Sequence, residues 1–255
     1  LVGKSGVEAA FEEYLRGSDG KMKITEDADG NDLLPEAHRR AIEILEQYPK
    51  GHHDLVRYEY IRRLGYYCTE SSEHNAEYNN LFIKSKYPEL IDSYNIPLDE
   101  YPRRCIKQID NWKTKKEEYL AGNITHERSH EYASRIMDAI VTDVPYKIGG
   151  NVINKGGLIE NLPEDACVEV PCLVDGAGIH PTRVGRLPVQ CAAMNMTNIN
   201  SQLLTIEAAA TGKKEHIYHA AMLEPHTAAE LSIDDIIKMC DELFDAHEGA
   251  GYKIL

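Results

Sequence analysis

Apolar residues recur at helical spacing along most of this chain. Leu34, Ala37, Ala41 and Leu45 fall on one side of a helix, and Pro49 marks its end. The pattern predicts an amphipathic helix after residue 33.

A second helix is predicted directly after the first. Leu55, Tyr58, Ile61 and Leu64 recur about every three residues, and Gly65 is the residue type that most often ends a helix. The stretch GYYCTESSEHNAEY, residues 65–78, therefore starts at a helix C-terminus, and we expect it to lie on a turn.

Three further segments have helical patterns. Residues 127–140 predict one helix, and residues 187–212 carry small and apolar side chains on nearly every face, as a buried helix would. In the last segment Ser232 and Asp235 predict a capping box, and Gly249 ends the helix. Its apolar stripe is Ile236, Ile237, Cys240, Leu243 and Phe244.

Two short β-rich runs, residues 145–154 and 166–175, flank a Gly-Gly turn and predict antiparallel strands. The fold class is therefore α+β, mainly helical with a small antiparallel sheet. Nothing repeats internally, and the only candidate joint is the GSDGK segment at residues 17–21.

The net charge limits the possible binding partners, and the cysteine spacing indicates the redox compartment. The net charge is −14, from 28 basic and 42 acidic residues, which disfavours nucleic acid and anionic membranes. The chain shows neither an apolar run of about 18 to 20 residues nor a signal-peptide pattern. Six cysteines without CxxC spacing predict reduced thiols, and we expect a cytoplasmic protein.

The TESSEH segment, residues 69–74, is the densest cluster of chemically useful side chains. Its hydroxyls and carboxylates could contact a sugar, and His74 could transfer protons near neutral pH. The alternative is structural: Ser and Thr satisfy a turn, and His74 is a hydrogen-bonded core residue.

Two other motifs have simpler structural readings. HERSH, residues 126–130, matches the HExxH zinc pattern, but no third ligand follows at a familiar distance, which favours a polar helix face. HHD, residues 52–54, could ligate a metal, although Asp54 at a loop-to-helix junction is more simply an N-cap.

Several long, ordered segments carry a family resemblance. They include VRYEYIRRLGYYCTESSEHNAEY, NIPLDEYPRRC, RSHEYASRIMDAI, AAMLEPHTAAELSIDDI and the whole of residues 150–212. From about Lys23 onward the chain resembles the C-terminal part of glycoside hydrolase family 4, nearest its α-galactosidase branch. The resemblance implies a C-terminal domain of the lactate dehydrogenase-like type over residues 22–255, without the Rossmann domain.

The resemblance also implies an unusual chemistry, outside two-carboxylate glycoside hydrolysis. Family members use NAD and a divalent metal, usually Mn²⁺, to oxidise the sugar at C3, eliminate the aglycone, add water and reduce C3 again. The motifs for both cofactors are missing here: no G-x-G-x-x-G fingerprint and no matching Cys or Asn-His metal motif occurs. We therefore assign no cofactor or metal ligand, and we expect the chain alone to be inactive.

The resemblance places the catalytic base on the TESSEH segment. The residue type there differs between branches, so Ser71, Glu73 and His74 all remain candidates. We expect Thr69, Ser72 and Tyr78, in or near this segment, to contact the substrate. A second group of expected pocket or interface residues consists of Asn151, Asn154 and Arg183.

Two functions remain open. The first is an α-galactosidase, or an α-glucosidase or α-galacturonidase of the same family, acting on a sugar and forming a homo-oligomer. The second is a non-catalytic oligomerisation or sugar-binding module.

Residues 1–21 do not share the family 4 resemblance. They resemble a short segment of class B penicillin-binding proteins, without the nucleophile motifs of a transpeptidase, and we treat them as a foreign or flexible segment.

Overall fold

The structure is a computed structural model that describes residues 34–47, 52–123, 125 and 131–253. It divides into two compact units. The first contains the described residues up to Ile96, together with Lys147–Leu173 and the chain from Ile179 onward. The second contains Pro97–Tyr146 and Val174–Gly178.

The first two predicted helices are confirmed. Helix α1 spans Leu34–Gln47 and α2 spans Leu55–Leu64. Gly65 ends α2 in the left-handed conformation (φ 82°) and donates its N–H to the carbonyl of Ile61 at 3.0 Å. Helix α2 is buried on more than its predicted stripe, because two separate apolar clusters pack against it.

Two short helices follow α2. The expected turn at 65–78 gives way after Ser71 to α3, Ser72–Glu77, and α4 spans Glu89–Ser93. The apolar cluster that joins α2 to this region consists of Val56, Tyr60, Ala76, Phe82 and Ile96. The TESSEH segment is thus anchored to the core at its helical end.

The two predicted antiparallel strands are confirmed as β1, Tyr146–Ile153, and β2, Cys167–Asp175. A third strand that was not predicted, β3, Gly178–Pro181, completes the sheet in the order β1-β2-β3. Gly156 and Gly157, between β1 and β2, have φ values of 78° and 68°, which glycine adopts without steric cost. Along β2 the buried side chains alternate, as period-two geometry requires: Val168, Val170, Cys172 and Val174.

The helix predicted at 187–212 exists as α7, Val189–Thr211, but the prediction that it is buried is wrong. Only Ala192, Ile199 and Ala208 are buried. The described chain packs α8, Lys214–Leu223, against α7 and leaves much of its remaining apolar surface in solvent. An apolar pattern reports which faces suit burial, and it does not identify what covers them.

The C-terminal helix follows its prediction. After α9, Pro225–Glu230, helix α10 spans Ile233–Gly249. The Ser232 hydroxyl accepts the N–H of Asp235 at 3.2 Å and donates to its carboxylate at 2.6 Å. Within the predicted stripe Ile236, Cys240 and Phe244 are buried, whereas Leu243 is exposed.

The second compact unit contains two helices of its own. Helix α5 spans Glu100–Leu120, and α6 spans Ala133–Thr142, so the described part of the helix predicted at 127–140 begins only at Ala133. The HERSH motif lies outside the described residues. No helix in the described ranges is both long and apolar enough to cross a membrane.

Candidate functional site

The TESSEH segment leaves α2 at Gly65 and becomes helical at Ser72. Ser71 is the N-cap of α3: its hydroxyl accepts the backbone N–H of His74 at 3.2 Å. The Ser71 side chain, a candidate catalytic group, therefore also has a structural role.

Ser72 is buried and belongs to a polar network in the core. Its hydroxyl donates to the Asp54 carboxylate at 3.2 Å and accepts the backbone N–H of Arg57 at 3.2 Å. The Arg57 guanidinium completes the network with an ion pair to Asp54 at 3.1 Å. These bonds give the Ser72 hydroxyl a structural role in the core.

The N-cap prediction for Asp54 is half right. Asp54 occupies the N-cap position of α2, but its side chain makes no capping hydrogen bond. The buried carboxylate pairs with Arg57 and Ser72 instead, because a buried charge requires a partner of opposite charge.

His74, a candidate for proton transfer, contacts two neighbouring side chains. Its Nδ1 lies 3.0 Å from Oε2 of Glu77, and its ring stacks on Tyr78 with 5.6 Å between centroids. The hydrogen bond to Glu77 raises the pKa of His74, and the nearby charges of Glu70 and Glu73 act in the same direction. These contacts favour the imidazolium form of His74.

An open pocket of about 480 Å³ lies in the first compact unit. Thr69 reaches it from the TESSEH segment, the β1-β2 pair contributes Gly149 and Glu169, and α7 contributes Asn195 and Asn198. The remaining lining residues are Ile159, Leu162, Cys167, Val168, Val170, Pro171, Leu187, Ile199 and Gln202. We call this the sheet pocket.

The sheet pocket combines groups that suit a polyhydroxylated ligand. Amide side chains both donate and accept hydrogen bonds, as sugar hydroxyls do, and the aliphatic residues can cover the C–H face of a ring. The Glu169 carboxylate occupies the space beside Gly149, where an added Cβ would lie only 2.9 Å from Oε1. Glycine at 149 therefore leaves room for that carboxylate.

Among the residues proposed from the sequence, only Thr69 lines the sheet pocket. Tyr78 is exposed beside His74, and Asn151 is exposed on β1. Arg183 is exposed and forms an ion pair with Glu160 at 2.8 Å. The structure does not bring these residues together into one site.

Asn154 has a structural role that the sequence did not reveal. Its side chain is fully buried, donates to the carbonyls of Ile159, Leu162 and Pro163, and accepts the N–H of Ile159 at 2.8 Å. These four bonds hold the β1-β2 connection in place.

Sequence reasoning missed the polar residues of α7 that line the pocket, Asn195, Asn198 and Gln202. They recur at positions i, i+3 and i+7, so they share one face of the helix. That periodic set of amides on one face of the helix was the available signal. Glu169 gave no comparable signal, because it is one of the outward-facing residues of a strand whose buried and exposed side chains alternate.

The sequence matches a family model. The model for the family 4 glycosyl hydrolase C-terminal domain covers residues 22–227. The chain belongs to glycosyl hydrolase family 4. It is 60% identical over 220 residues to an alpha-galactosidase of Bacillus subtilis (strain 168), covering 86% of this chain and 50% of that relative. An alpha-galactosidase of Rhizobium meliloti (strain 1021) is 32% identical over 199 residues, covering 74% and 40%.

Solved structures of this family share the fold. A Bacillus subtilis glucosidase, LplD, superposes with a TM-score of 0.70 at 19% identity, covering 83% of this chain and 50% of that one. A 6-phospho-alpha-glucosidase from gut microorganisms, solved with NAD and Mn²⁺, gives a TM-score of 0.61 at 18% identity, covering 88% and 51%. The family 4 chain described here thus spans about half the length of the relatives it matches.

The described residues do not fit either cofactor of the family. No group of three His, Cys, Asp or Glu side chains within the described ranges could hold a metal ion. The sequence also lacks the glycine fingerprint that cradles a dinucleotide. No residue in this part of the family 4 chain is therefore assigned to NAD or to Mn²⁺.

Proposed function

We propose that this chain is the substrate-binding half of an α-galactosidase. The observation that carries the proposal is the 60% identity over 220 residues to the Bacillus subtilis alpha-galactosidase. The sheet pocket supports it, because its hydroxyl, carboxylate and amide groups are chemically matched to a sugar.

Within this proposal the two parts of the site have different tasks. Thr69, Asn195 and Asn198 hydrogen-bond sugar hydroxyls, while the aliphatic residues exclude water from one face of the ring. On the neighbouring helix α3, His74 holds a proton that Glu77 and the surrounding acidic residues stabilise. Ser71 and Glu73 remain the other candidates for the proton-transfer role.

The redox part of the chemistry belongs to cofactors that this part of the chain does not hold. NAD and Mn²⁺ accompany a family 4 structure of similar fold, and we extend both to the complete α-galactosidase. When bound, they would supply hydride transfer at the sugar and charge stabilisation at its oxygens. The chain alone is then expected to be inactive.

The proposal also covers the cellular location, the binding partners and the oligomeric state of the protein. All six cysteines are free, which agrees with a reducing, cytoplasmic location. The net charge of −14 argues against nucleic acid and membrane partners. The family resemblance supports a homo-oligomer.

Other substrates of the same family are the alternative. An alpha-glucosidase of Erwinia rhapontici is 32% identical over 89 residues, and an alpha-galacturonidase is 23% identical over 195. Both values lie well below the identity to the Bacillus subtilis alpha-galactosidase. We therefore prefer the galactoside.

The pocket assignment can be tested in an enzyme that joins this chain to the part of the Bacillus subtilis relative that it does not match. We expect Asn198→Ala to lower kcat/KM for p-nitrophenyl α-galactoside about 10- to 200-fold, the loss typical of one substrate contact. Asn200→Ala, on the same helix but absent from the pocket lining, is the control. Equal activities of the two variants would remove the sheet pocket from the substrate site.

A further inference from the structure

Thr69 is the residue of TESSEH that lines the sheet pocket, and it is exposed. An exposed loop residue moves freely unless neighbouring groups hold its backbone. The peptide carbonyls on both sides of Thr69 are held in this way, by two side chains from adjacent helices. One is Arg57 on α2, and the other is Asn75 on α3.

The Arg57 side chain holds the carbonyl that precedes Thr69. Its Nε donates to the carbonyl oxygen of Cys68 at 3.0 Å. The guanidinium is itself fixed, because it pairs with the buried Asp54 carboxylate at 3.1 Å and lies over the Tyr67 ring, 4.6 Å from its centroid. A guanidinium fixed in this way holds the loop without losing much further side-chain entropy.

The Asn75 amide holds the carbonyls that follow Thr69. Its Nδ2 donates to the carbonyl oxygens of Glu70 and Ser71, each at 2.9 Å. Its Oδ1 accepts the thiol of Cys68 at 3.0 Å. One side chain therefore contacts the residues on both sides of Thr69, and both of its polar atoms are used.

We infer that Arg57 and Asn75 are positioning residues for the sugar: they fix the backbone on both sides of Thr69, so that its hydroxyl is presented to the sheet pocket. Neither residue lines the pocket. They act through Thr69, because a binding group that is already ordered loses less of its interaction energy when the ligand arrives. The inference rests on the proposal that the sheet pocket binds the sugar.

The same contacts also stabilise the loop, so a loss of activity in a single variant does not separate positioning from stability. Coupling to Thr69 does separate them. If Arg57 and Asn75 act through the Thr69 hydroxyl, their substitution should matter little once that hydroxyl is absent. Losses that come from a general weakening of the fold should instead add to the loss from Thr69.

Three substitutions form the test. Arg57→Lys keeps the charge beside Asp54 and removes the planar fork. Asn75→Asp keeps the shape of the side chain and replaces the Nδ2 donor by an oxygen, which repels the two carbonyls. Thr69→Val removes the hydroxyl and keeps the branched shape.

The variants are compared in the enzyme that joins this chain to the unmatched part of its Bacillus subtilis relative, below the melting temperature of each. We expect Arg57→Lys and Asn75→Asp each to lower kcat/KM for p-nitrophenyl α-galactoside roughly tenfold or more. In the Thr69→Val background each should lower it less than about threefold.

Two controls repeat these changes of group away from Thr69. Arg63→Lys alters a guanidinium on α2 that pairs with Glu59 at 2.9 Å. Asn80→Asp adds the same negative charge at an exposed position shortly after α3. Both should keep kcat/KM within about twofold of the unaltered enzyme.

Backbone dynamics of the chain alone provide a readout that needs no turnover. In ¹⁵N relaxation measurements the order parameter of Thr69 should be about 0.85 in the unaltered chain and fall below about 0.6 in Arg57→Lys and Asn75→Asp. The order parameters of α10 should stay the same in all three proteins.

Losses of kcat/KM that add in full in the Thr69→Val background would overturn the inference, as would a Thr69 order parameter that neither variant changes. Additive losses in an active joined enzyme would leave the proposed function intact. A joined enzyme without galactosidase turnover would overturn the proposed function, and the order parameters would then decide whether Arg57 and Asn75 hold Thr69.

Discussion

At the scale of single residues, burial separates two asparagines that the sequence presents as equals. Asn154 is fully buried with four hydrogen bonds to backbone groups, whereas Asn151, three residues earlier, is exposed on β1. Both came from the same motif, GNVIN. Sequence alone shows the polar side chain and cannot show which backbone groups it satisfies.

This difference predicts unequal stability effects. Asn154→Ala should lower the free energy of unfolding by about 3 kcal/mol, because it leaves buried backbone groups without partners. Asn151→Ala is the matched control and should stay within about 0.5 kcal/mol of the unaltered chain. Chemical denaturation measures both. A loss below about 1 kcal/mol for Asn154→Ala would contradict the structural role.

His74 predicts a small pH-dependent effect of known sign. Glu77 raises the folded-state pKa, so the pair stabilises the fold fully below the unfolded-state pKa of about 6.5. That stabilisation is lost as the pH rises through the raised folded-state pKa. Since both side chains are more than a third exposed, it should be only a few tenths of a kcal/mol.

The corresponding measurement is thermal unfolding of His74→Gln beside the unaltered chain. The unaltered chain should be slightly more stable at about pH 5, and the difference should disappear by about pH 9. A difference that grows toward alkaline pH would mean that Glu77 does not set the protonation of His74.

At the scale of elements, the spacing of apolar residues predicted where helices and strands form. It did not predict how those elements pack against one another. The residues of α1, α2 and α10 repeat at helical spacing, and Gly65 ends α2 as expected. The apolar pattern of α7, by contrast, wrongly suggested burial in this chain. The start of α3 was also missed, because its six residues include only one apolar side chain, Ala76, and so give no apolar period.

Gly150 on β1 illustrates a packing constraint that no pattern reveals. A Cβ at this position would lie 2.6 Å from the Cys172 sulfur on β2. Gly150→Ala should therefore cost about 1 to 3 kcal/mol through overpacking.

A double-mutant cycle tests this cause. Cys172→Ala removes the clashing sulfur, so Gly150→Ala should cost less in the Cys172→Ala background than in the unaltered chain. Free energies of unfolding that add, without a coupling term, would place the origin of the loss elsewhere.

At the scale of the whole molecule, the family could be inferred from ordered motifs, and the described structure adds a pocket that those motifs did not indicate. Thr69 connects the two, since it belongs to TESSEH and also lines the sheet pocket. The pocket itself depends on the approach of α7 to the β1-β2 pair, which are distant in sequence. Single-sequence reasoning has no means of placing such elements side by side.

The central claim is that this chain supplies the sugar-binding half of a cofactor-dependent α-galactosidase. The most direct test is hydrolysis of p-nitrophenyl α-galactoside with NAD, Mn²⁺ and a thiol reductant, by the chain alone and by the chain joined to the unmatched part of its Bacillus subtilis relative. We predict no turnover by the chain alone and turnover by the joined enzyme that stops when either cofactor is omitted. A folded joined enzyme that does not hydrolyse the galactoside, or that does so without NAD, would contradict the account.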